Sequence, residues 1–213
     1  MRHRLSVRLA FPILTFFVRL LFVLLGPIRS HDRNNIPRSG GLLILSNHIA
    51  DVDPIVVQLA CPRMIHFMAK SELFEIPVLK HFIKWFHVFP VKRGEPDRAA
   101  IKHAISLVAQ GEAVCLFPEG ELSETGTLLP LLPGAALIVR KANVPVICCC
   151  VRNTNKVMPY RQIVPRPALC FTHARWGEAR TFERGTTNEE IVAWATCELE
   201  RLTLLGDVLR SRQ

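Results

Sequence analysis

A short uninterrupted apolar run limits the folds that are open to this chain. Leu42-Leu43-Ile44-Leu45 stands between a pair of glycines and the polar pair Ser46-Asn47. A strand with one solvent-exposed face alternates apolar and polar side chains, whereas a strand inside a parallel sheet is buried on both faces. A run of this length bounded by turn residues fits the second kind of strand. The chain is therefore expected to contain a parallel sheet that helices cover on both faces.

The segments that follow alternate between helix and strand patterns. Helices are predicted over residues 54–60, 76–86, 96–110, 133–142 and 188–205, and strands over 64–69, 88–91, 113–117, 144–151 and 169–172. The clearest helix has Pro96 near its start and Gly111 as its stop. This alternation predicts an α/β fold with a mostly parallel sheet flanked by helices. A chain of 213 residues suits one core, so residues 31–213 are expected to form a single domain.

A second apolar stretch lies at the N-terminus. Residues 9–28 are apolar except for Thr15 and Arg19, and about 20 residues suffice for a helix to cross a bilayer. An arginine at the bilayer centre costs about 2.5 to 3.5 kcal/mol even on the lenient insertion scale. A helix lying in the interface, a bent pair hinged near Pro12 and a buried helix of a soluble core therefore remain as alternatives. Residues 1–30 are predicted to be a retained, membrane-associated helical segment.

The net charge indicates which classes of molecule the protein can bind, and the cysteine pattern indicates the redox environment. The net charge of +9 predicts a surface that attracts polyanions. A nucleic-acid binder would show a basic stripe interleaved with aromatic residues, or a groove-reading motif, and the sequence shows neither. The seven cysteines lack the paired spacing of a zinc site. Cys148, Cys149 and Cys150 are interpreted as small apolar residues of a buried strand, which fits a reducing cytosolic environment.

A histidine and an aspartate follow the first predicted strand. His48 and Asp53 fall where ligands bind in open α/β sheets, beyond the carboxyl end of a strand. A histidine oriented by a carboxylate can take a proton from a hydroxyl near neutral pH. The chain has no Gly-x-Ser-x-Gly elbow, so the nucleophile is expected to be a hydroxyl of the substrate. Taken alone, the pair leaves open a structural histidine, or a metal site that also uses Asp51.

Further segments give the pair a context. Asn47-His48 with Asp53-Pro54 is followed, in order, by Val91-Lys92-Arg93-Gly94, Phe117-Pro118-Glu119-Gly120 and Val144-Pro145-Val146-Ile147. This ordered set resembles the glycerolipid acyltransferases, also called lysophosphatidic acid acyltransferases. Trp176-Gly177-Glu178 is similar to the terminal Phe-Gly-Glu-Pro element of that family. The resemblance covers about residues 40–179 and is more specific than any single segment.

The resemblance implies roles for individual residues. His48 would be the general base and Asp53 its orienting partner. The implied substrate-binding residues are Asn47, Lys70, Lys92, Arg93, Glu119 and Gly120. A guanidinium fork on a phosphate fixes the acceptor and thereby places its free hydroxyl. Alternatives stay open for three of them: Arg93 and Lys70 as ordinary surface charges, and Glu119 as a carboxylate that stabilises its loop.

The implied activity is that of a membrane-bound enzyme at the cytoplasmic face. It would move a fatty acyl group from acyl-CoA or acyl carrier protein to a lysophospholipid, first of all 1-acylglycerol-3-phosphate, giving phosphatidic acid. No metal or other cofactor is expected. The family usually continues its Phe-Pro-Glu-Gly segment with Thr-Arg-Ser, whereas Glu121-Leu122-Ser123 follows here. Because an expected phosphate-binding arginine is missing, two alternatives remain: another acceptor such as 2-acylglycerophosphoethanolamine, and a lipid-binding membrane protein without catalysis.

Overall fold

The computed structural model describes residues 2–75, 87–91, 97–162 and 164–210, with side chains from residue 12 to residue 205 of these ranges. The helices are α1 (Arg2–Leu25), α2 (Asp53–Ala60), α3 (Arg98–Ala109), α4 (Pro133–Ala142), α5 (Thr154–Val157) and α6 (Asn188–Arg210). The strands are β1 (Ile28–His31), β2 (Leu42–Ser46), β3 (Ile65–Lys70), β4 (Val88–Val91), β5 (Ala113–Leu116), β6 (Val146–Arg152) and β7 (Thr172–Trp176). Short 3-10 turns occupy Arg33–Asn35 and Ser71–Phe74. The helix predicted over 76–86 lies outside the described residues.

The seven strands form one sheet in the order β1-β7-β6-β2-β5-β3-β4. Strands β6, β2, β5, β3 and β4 run parallel to one another. Strand β7 pairs antiparallel with β6, and β1 pairs parallel with β7. The predicted α/β fold with a mostly parallel sheet is therefore confirmed.

The apolar run Leu42-Leu43-Ile44-Leu45 lies in the central strand β2. Its side chains alternate between two cores: Leu42 and Ile44 pack with α1 and α2, and Leu43 and Leu45 pack with α3, α4 and α6. All four are at most 1% exposed. A strand between two helical layers has no solvent-exposed face, which is why its residues do not alternate between apolar and polar.

The two strands at one edge depart from the sequence expectations. Strand β1 was not predicted, because Arg29 and Ser30 break any apolar pattern, and it forms through its pairing with β7. Strand β7 begins at Thr172 rather than near Leu169, which is fully exposed. Its side chains alternate between buried and half-buried, as expected of a strand near an edge. The boundary predicted between residues 30 and 31 falls within β1.

The N-terminal segment is one continuous helix with Pro12 inside it, and it does not form the hinged pair. Val18, Phe22 and Leu25 are buried against the core. The opposite side of the helix leaves large apolar side chains exposed: Ile13, Phe16, Phe17, Leu20, Leu21, Val23 and Leu24. Of the helices in the described part of the chain, none combines the length and apolar character that a bilayer-spanning helix needs.

The cysteine triplet lies in the interior of β6, as predicted. Cys148, Cys149 and Cys150 are at most 1% exposed. Burial raises the pKa of all three thiols, because a thiolate loses its hydration there. These cysteines are therefore neutral packing residues of the core.

Candidate active site

The sheet order brings the predicted site segments together. Strand β2 lies between β5 and β6, and the three run parallel. Their carboxyl ends therefore meet at one edge of the sheet, which we call the carboxyl edge. His48 follows β2, Phe117 and Glu119 follow β5, and Arg152 ends β6. Segments about 70 residues apart in the chain thus become neighbours.

His48 and Asp53 form a directed hydrogen bond. His48 Nδ1 lies 3.0 Å from Asp53 Oδ2, and Asp53 is fully buried while the histidine side chain is 12% exposed. The same carboxylate oxygen accepts the backbone N–H groups of Ile49 at 2.7 Å and Ala50 at 2.8 Å. Asp53 also begins α2, where the helix dipole favours a negative charge. With its proton on Nδ1, the imidazole donates a hydrogen bond to the carboxylate, and Nε2 keeps a lone pair that can accept a proton.

An aromatic ring holds the imidazole from one side. The ring of Phe117 stacks on that of His48 with centroids 4.2 Å apart and planes 24° from parallel. Phe67 of β3 lies behind Phe117 at 6.5 Å. The stack confines the imidazole to the plane in which Asp53 orients it, and this preorganisation is what a general base needs.

Glu119 fastens the histidine loop to the loop that follows β5. Its Oε1 accepts the backbone N–H of His48 at 2.7 Å, and its Oε2 accepts that of Leu129 at 2.8 Å. Ser123 N–H donates to the carbonyl of His48 at 2.8 Å. Glu119 is 3% exposed, and burial raises its pKa while the two backbone bonds oppose that rise. This geometry favours the loop-stabilising role, and a contact of Glu119 with substrate stays a prediction.

Asn47 and Gly120 shape the same region. The Asn47 side chain donates to the carbonyl of Val151 at 3.0 Å and accepts its N–H at 2.7 Å, so it joins the end of β2 to β6. Gly120 has a φ of 75°, in the left-handed region that glycine enters at least cost. A Cβ there would meet the side chain of Leu132. For both residues the structure shows an architectural role, and their predicted contact with substrate stays a prediction.

Of the predicted cationic residues, Lys70 is the one that lies among the described residues. Lys70 ends β3 and is exposed, two strands away from β2 in the sheet. Lys92 and Arg93 follow β4 directly in the chain but lie outside the described residues. Their predicted contact with a phosphate stays a prediction. Asp51, the third residue of the alternative metal site, is exposed.

Sequence reasoning missed two contributors to this site. Phe117 was part of a motif but received no role, and the backbone of Ser123 received none either. Both act through contacts between the β2 and β5 loops. Only the adjacency of these strands could have pointed to them, and no local pattern encodes that adjacency.

Fold and site together define an α/β protein with a histidine oriented by a buried carboxylate at the carboxyl edge of its sheet. The model of the acyltransferase family matches residues 27–152, which is more than half of the chain. The chain therefore belongs to the acyltransferase family. The resemblance to the glycerolipid acyltransferases is thereby confirmed.

Individual relatives are similar over the same region. The 1-acyl-sn-glycerol-3-phosphate acyltransferase of Bacillus subtilis is 34% identical over 131 residues, which are 61% of this chain and 65% of that protein. The chloroplastic 1-acyl-sn-glycerol-3-phosphate acyltransferase BAT2 of Brassica napus is 34% identical over 128 residues, 59% of this chain and 37% of that protein. The matched segment thus spans less than two thirds of either relative.

A solved structure shares the fold. The crystal structure of the 1-acyl-sn-glycerophosphate (LPA) acyltransferase PlsC from Thermotoga maritima superposes with a TM-score of 0.77 at 21% identity. The superposition covers 94% of this chain and 82% of that one. The architecture of the sheet and its helices is therefore that of a known acyltransferase structure.

Proposed function

We propose that this chain is an O-acyltransferase that moves a fatty acyl group from an acyl thioester to the free hydroxyl of a lysophospholipid. The observation that carries the proposal is the His48 ring, which Asp53 holds at Nδ1 and Phe117 holds at its face. An imidazole fixed in this way has one nitrogen left for chemistry. Because the chain belongs to the acyltransferase family, we assign to His48 Nε2 the role of general base in acyl transfer.

The proposed reaction needs a single base and no enzyme nucleophile. Nε2 of His48 takes the proton of the acceptor hydroxyl as its oxygen attacks the thioester carbonyl carbon. The tetrahedral intermediate collapses, the C–S bond breaks, and the imidazolium gives its proton to the departing thiolate. Asp53 stabilises the transient imidazolium and keeps the proton at Nδ1 throughout. The products are an ester and a free thiol, and His48 returns to its starting state.

The proposed acceptor is 1-acylglycerol-3-phosphate, which gives phosphatidic acid. Both relatives described above are 1-acyl-sn-glycerol-3-phosphate acyltransferases by name, which supports this choice. Lys70, Lys92 and Arg93 are the proposed phosphate ligands, with acyl-CoA or acyl carrier protein as donor. The sequence Glu121-Leu122-Ser123 favours a second candidate, 2-acylglycerophosphoethanolamine, because its ethanolamine carries a cation and it asks for less positive charge from the protein.

The proposed place of action is the cytoplasmic face of a membrane. The exposed apolar side of α1 supports the contact with a membrane, because an apolar patch of this kind on a protein surface is typical of a contact site. Both lysolipid acceptors are amphipathic and partition into bilayers. A helix lying in the interface would hold the carboxyl edge close to such substrates.

His48→Ala tests the proposed reaction. Acyl transfer from labelled acyl-CoA and acyl carrier protein, measured by thiol release and product mass, is expected to fall about 10⁴-fold, as for loss of a general base that acts as part of a unit. His103→Ala, at an exposed position on α3, is the matched control. Full activity of His48→Ala would refute the mechanism. Vesicle binding by the wild type without thiol release from any thioester would identify the non-catalytic lipid-binding protein instead.

A panel of lysolipids decides the acceptor. Purified wild-type protein is offered 1-acylglycerol-3-phosphate, 2-acylglycerophosphoethanolamine and an uncharged monoacylglycerol with one acyl-CoA. We expect the highest kcat/KM for the first. A higher value for the ethanolamine lipid would transfer the proposal to the second candidate and leave the His48 mechanism intact.

A further inference from the structure

A cleft of about 330 Å³ opens between α1 and the C-terminal end of α2, and His48 is not among the residues that line it. Its walls include Pro12, Arg19, Arg33, Leu59 and Arg63; we call it the α1–α2 cleft. Helix α2 begins at Asp53, beside His48, and ends at Ala60, beside the cleft. Eight residues at about 1.5 Å of rise per residue separate the two ends by about 12 Å. The cleft is therefore distinct from the carboxyl edge.

The charge of the cleft has one sign. Arg19, Arg33 and Arg63 contribute three guanidinium groups, and no aspartate or glutamate is among the described residues that line it. Guanidinium groups bind phosphate oxygens with paired hydrogen bonds. The chemistry of the lining thus selects an anion, and phosphate above all.

Hydrogen bonds to the backbone fix Arg63 in place. Arg63 donates to the carbonyls of Pro37, Gly40 and Gly111 at 2.7 to 2.9 Å. The buried Gln58 side chain in turn donates to the carbonyl of Arg63 at 2.8 Å. These bonds use only part of the donor set of Arg63, because a guanidinium has five N–H groups. A preorganised cation of this kind loses little entropy when it binds an anion.

The helix end that faces the cleft is already neutralised. A helix C-terminus carries partial negative charge and would repel an anion. Arg19 donates to the carbonyl of Leu59 at 2.6 Å, and Ser30 donates to that of Ala60 at 3.2 Å. The last two carbonyls of α2, those of Leu59 and Ala60, thus have partners.

The cleft adjoins the exposed apolar side of α1. Pro12 and Arg19 line the cleft, and Phe16, 63% exposed, lies between them in the sequence. Residues four and three positions apart share one side of a helix. A molecule with a phosphate in the cleft can therefore lay an apolar tail against Phe16 and its neighbours.

We infer that the α1–α2 cleft binds the phosphate of an anionic glycerophospholipid whose acyl chains lie along α1. The lipid is a ligand rather than the acyl acceptor, because the cleft lies at the opposite end of α2 from His48. The inference depends on the membrane contact of α1 proposed above. It predicts that the protein prefers anionic bilayers through one site and not through its net charge alone.

Vesicle binding tests this inference with Arg33→Gln. Arg33 is exposed and has no role in the proposed reaction. Sedimentation is compared on phosphatidylcholine vesicles with and without phosphatidylglycerol. We expect the variant to lose about fivefold in affinity for the mixed vesicles, the effect of one arginine near an anionic surface, and nothing on phosphatidylcholine alone. Arg140→Gln, an equal charge change at an exposed position of α4 on the other side of the sheet, is expected to bind like the wild type.

Three outcomes would overturn the inference. Equal losses of vesicle affinity in both variants would mean that the net charge attracts the bilayer without a specific site. Unchanged affinity in Arg33→Gln would mean that the cleft does not bind lipid. In a third arm, soluble dihexanoylphosphatidylglycerol and inorganic phosphate are titrated against the wild type. Equal affinity for the two, lost in Arg33→Gln, would assign the cleft to a free phosphate. No acyl donor is present in these assays, so a failure here is independent of the proposed catalysis.

Discussion

Asp53 serves the histidine and the loop with one carboxylate oxygen. Its Oδ2 accepts the imidazole N–H and the backbone N–H groups of Ile49 and Ala50. The backbone bonds place the carboxylate, and the carboxylate places the ring. At the residue scale, the orientation of the base thus depends on an acid that is itself held by the turn it stabilises.

Asp53→Asn tests this arrangement. An amide can keep some of these bonds but cannot balance the imidazolium charge, so kcat is expected to fall about 10³- to 10⁴-fold, as when the acid of a catalytic triad is neutralised. KM for the acceptor should change little. Steady-state kinetics checks both values. Asp51→Asn, at an exposed neighbouring position, is the control, and a loss of similar size there would contradict the assignment.

Glu119 is the second acid that acts on the histidine, and it acts through the backbone. Glu119→Gln keeps the volume but turns a donor toward either His48 N–H or Leu129 N–H, so one buried bond is lost. We expect the free energy of unfolding to fall by about 1 to 3 kcal/mol and kcat to fall with it. Urea denaturation and kinetics measure the two effects. Glu121→Gln, an exposed position in the same loop, should alter neither.

At the scale of elements, the pairing of β1 with β7 contains a histidine pair. His31 Nε2 lies 2.9 Å from His173 Nδ1, and the rings stack at 5.2 Å. Burial lowers the pKa of both, that of His173 to about 4. The positive charges of Arg152, Arg29 and Arg175 act in the same direction on His173. Protonation of either ring would therefore weaken the edge of the sheet.

The pH dependence of stability follows from the sign of these shifts. The unfolded chain binds protons at the ordinary pKa of 6.5, and the folded chain only near pH 4 for His173. The contribution of His173 to the free energy of unfolding is therefore complete above pH 6.5 and is lost as the pH drops toward 4. His173→Gln should flatten this decline in denaturation curves taken across the range. His103→Gln, at an exposed position on α3, is the control and should leave the decline unchanged. An equally steep decline in His173→Gln would contradict the argument.

At the scale of the whole molecule, α1 is both a core element and an exposed apolar surface. Phe22 is 3% exposed and Phe17 is 61% exposed. One side of the helix therefore packs against the core, and the other side is exposed. The same helix supplies Arg19 to the C-terminus of α2. This bond gives the arginine a protein partner, whereas the sequence alone had left open a bilayer-spanning helix, an interfacial helix, a hinged pair and a buried core helix.

Phe17→Asp tests the membrane contact of α1. The variant removes an exposed apolar side chain, whose burial stabilises by about 1.5 to 3 kcal/mol, so affinity for phosphatidylcholine vesicles should fall at least about tenfold. Thermal stability should be unchanged because the ring is not part of the core. Leu204→Asp, an exposed apolar position on α6, is the matched control. Equal loss in both variants, or none in Phe17→Asp, would argue against α1 as the contact.

The sequence by itself determined the parallel sheet, most of its helices and the histidine–aspartate pair. These features are local: the run in β2 is continuous, helix periodicity spans a few turns, and Asp53 lies five residues from His48. The bounds of α4 agree with the predicted range of 133–142, and in the structure Pro133 starts the helix and Asn143, in the left-handed conformation, ends it.

Only the tertiary structure decided what depends on strand adjacency. Strand β1 exists because β7 pairs with it, and the bond from His48 N–H to Glu119 joins residues 71 positions apart. The stack of Phe117 on His48 has the same origin, whereas the three arginines of the α1–α2 cleft come together because α1 packs beside α2. A sequence pattern reports which face of an element is apolar, but not which element will lie beside it, because sheet order is set by the packing of the whole chain.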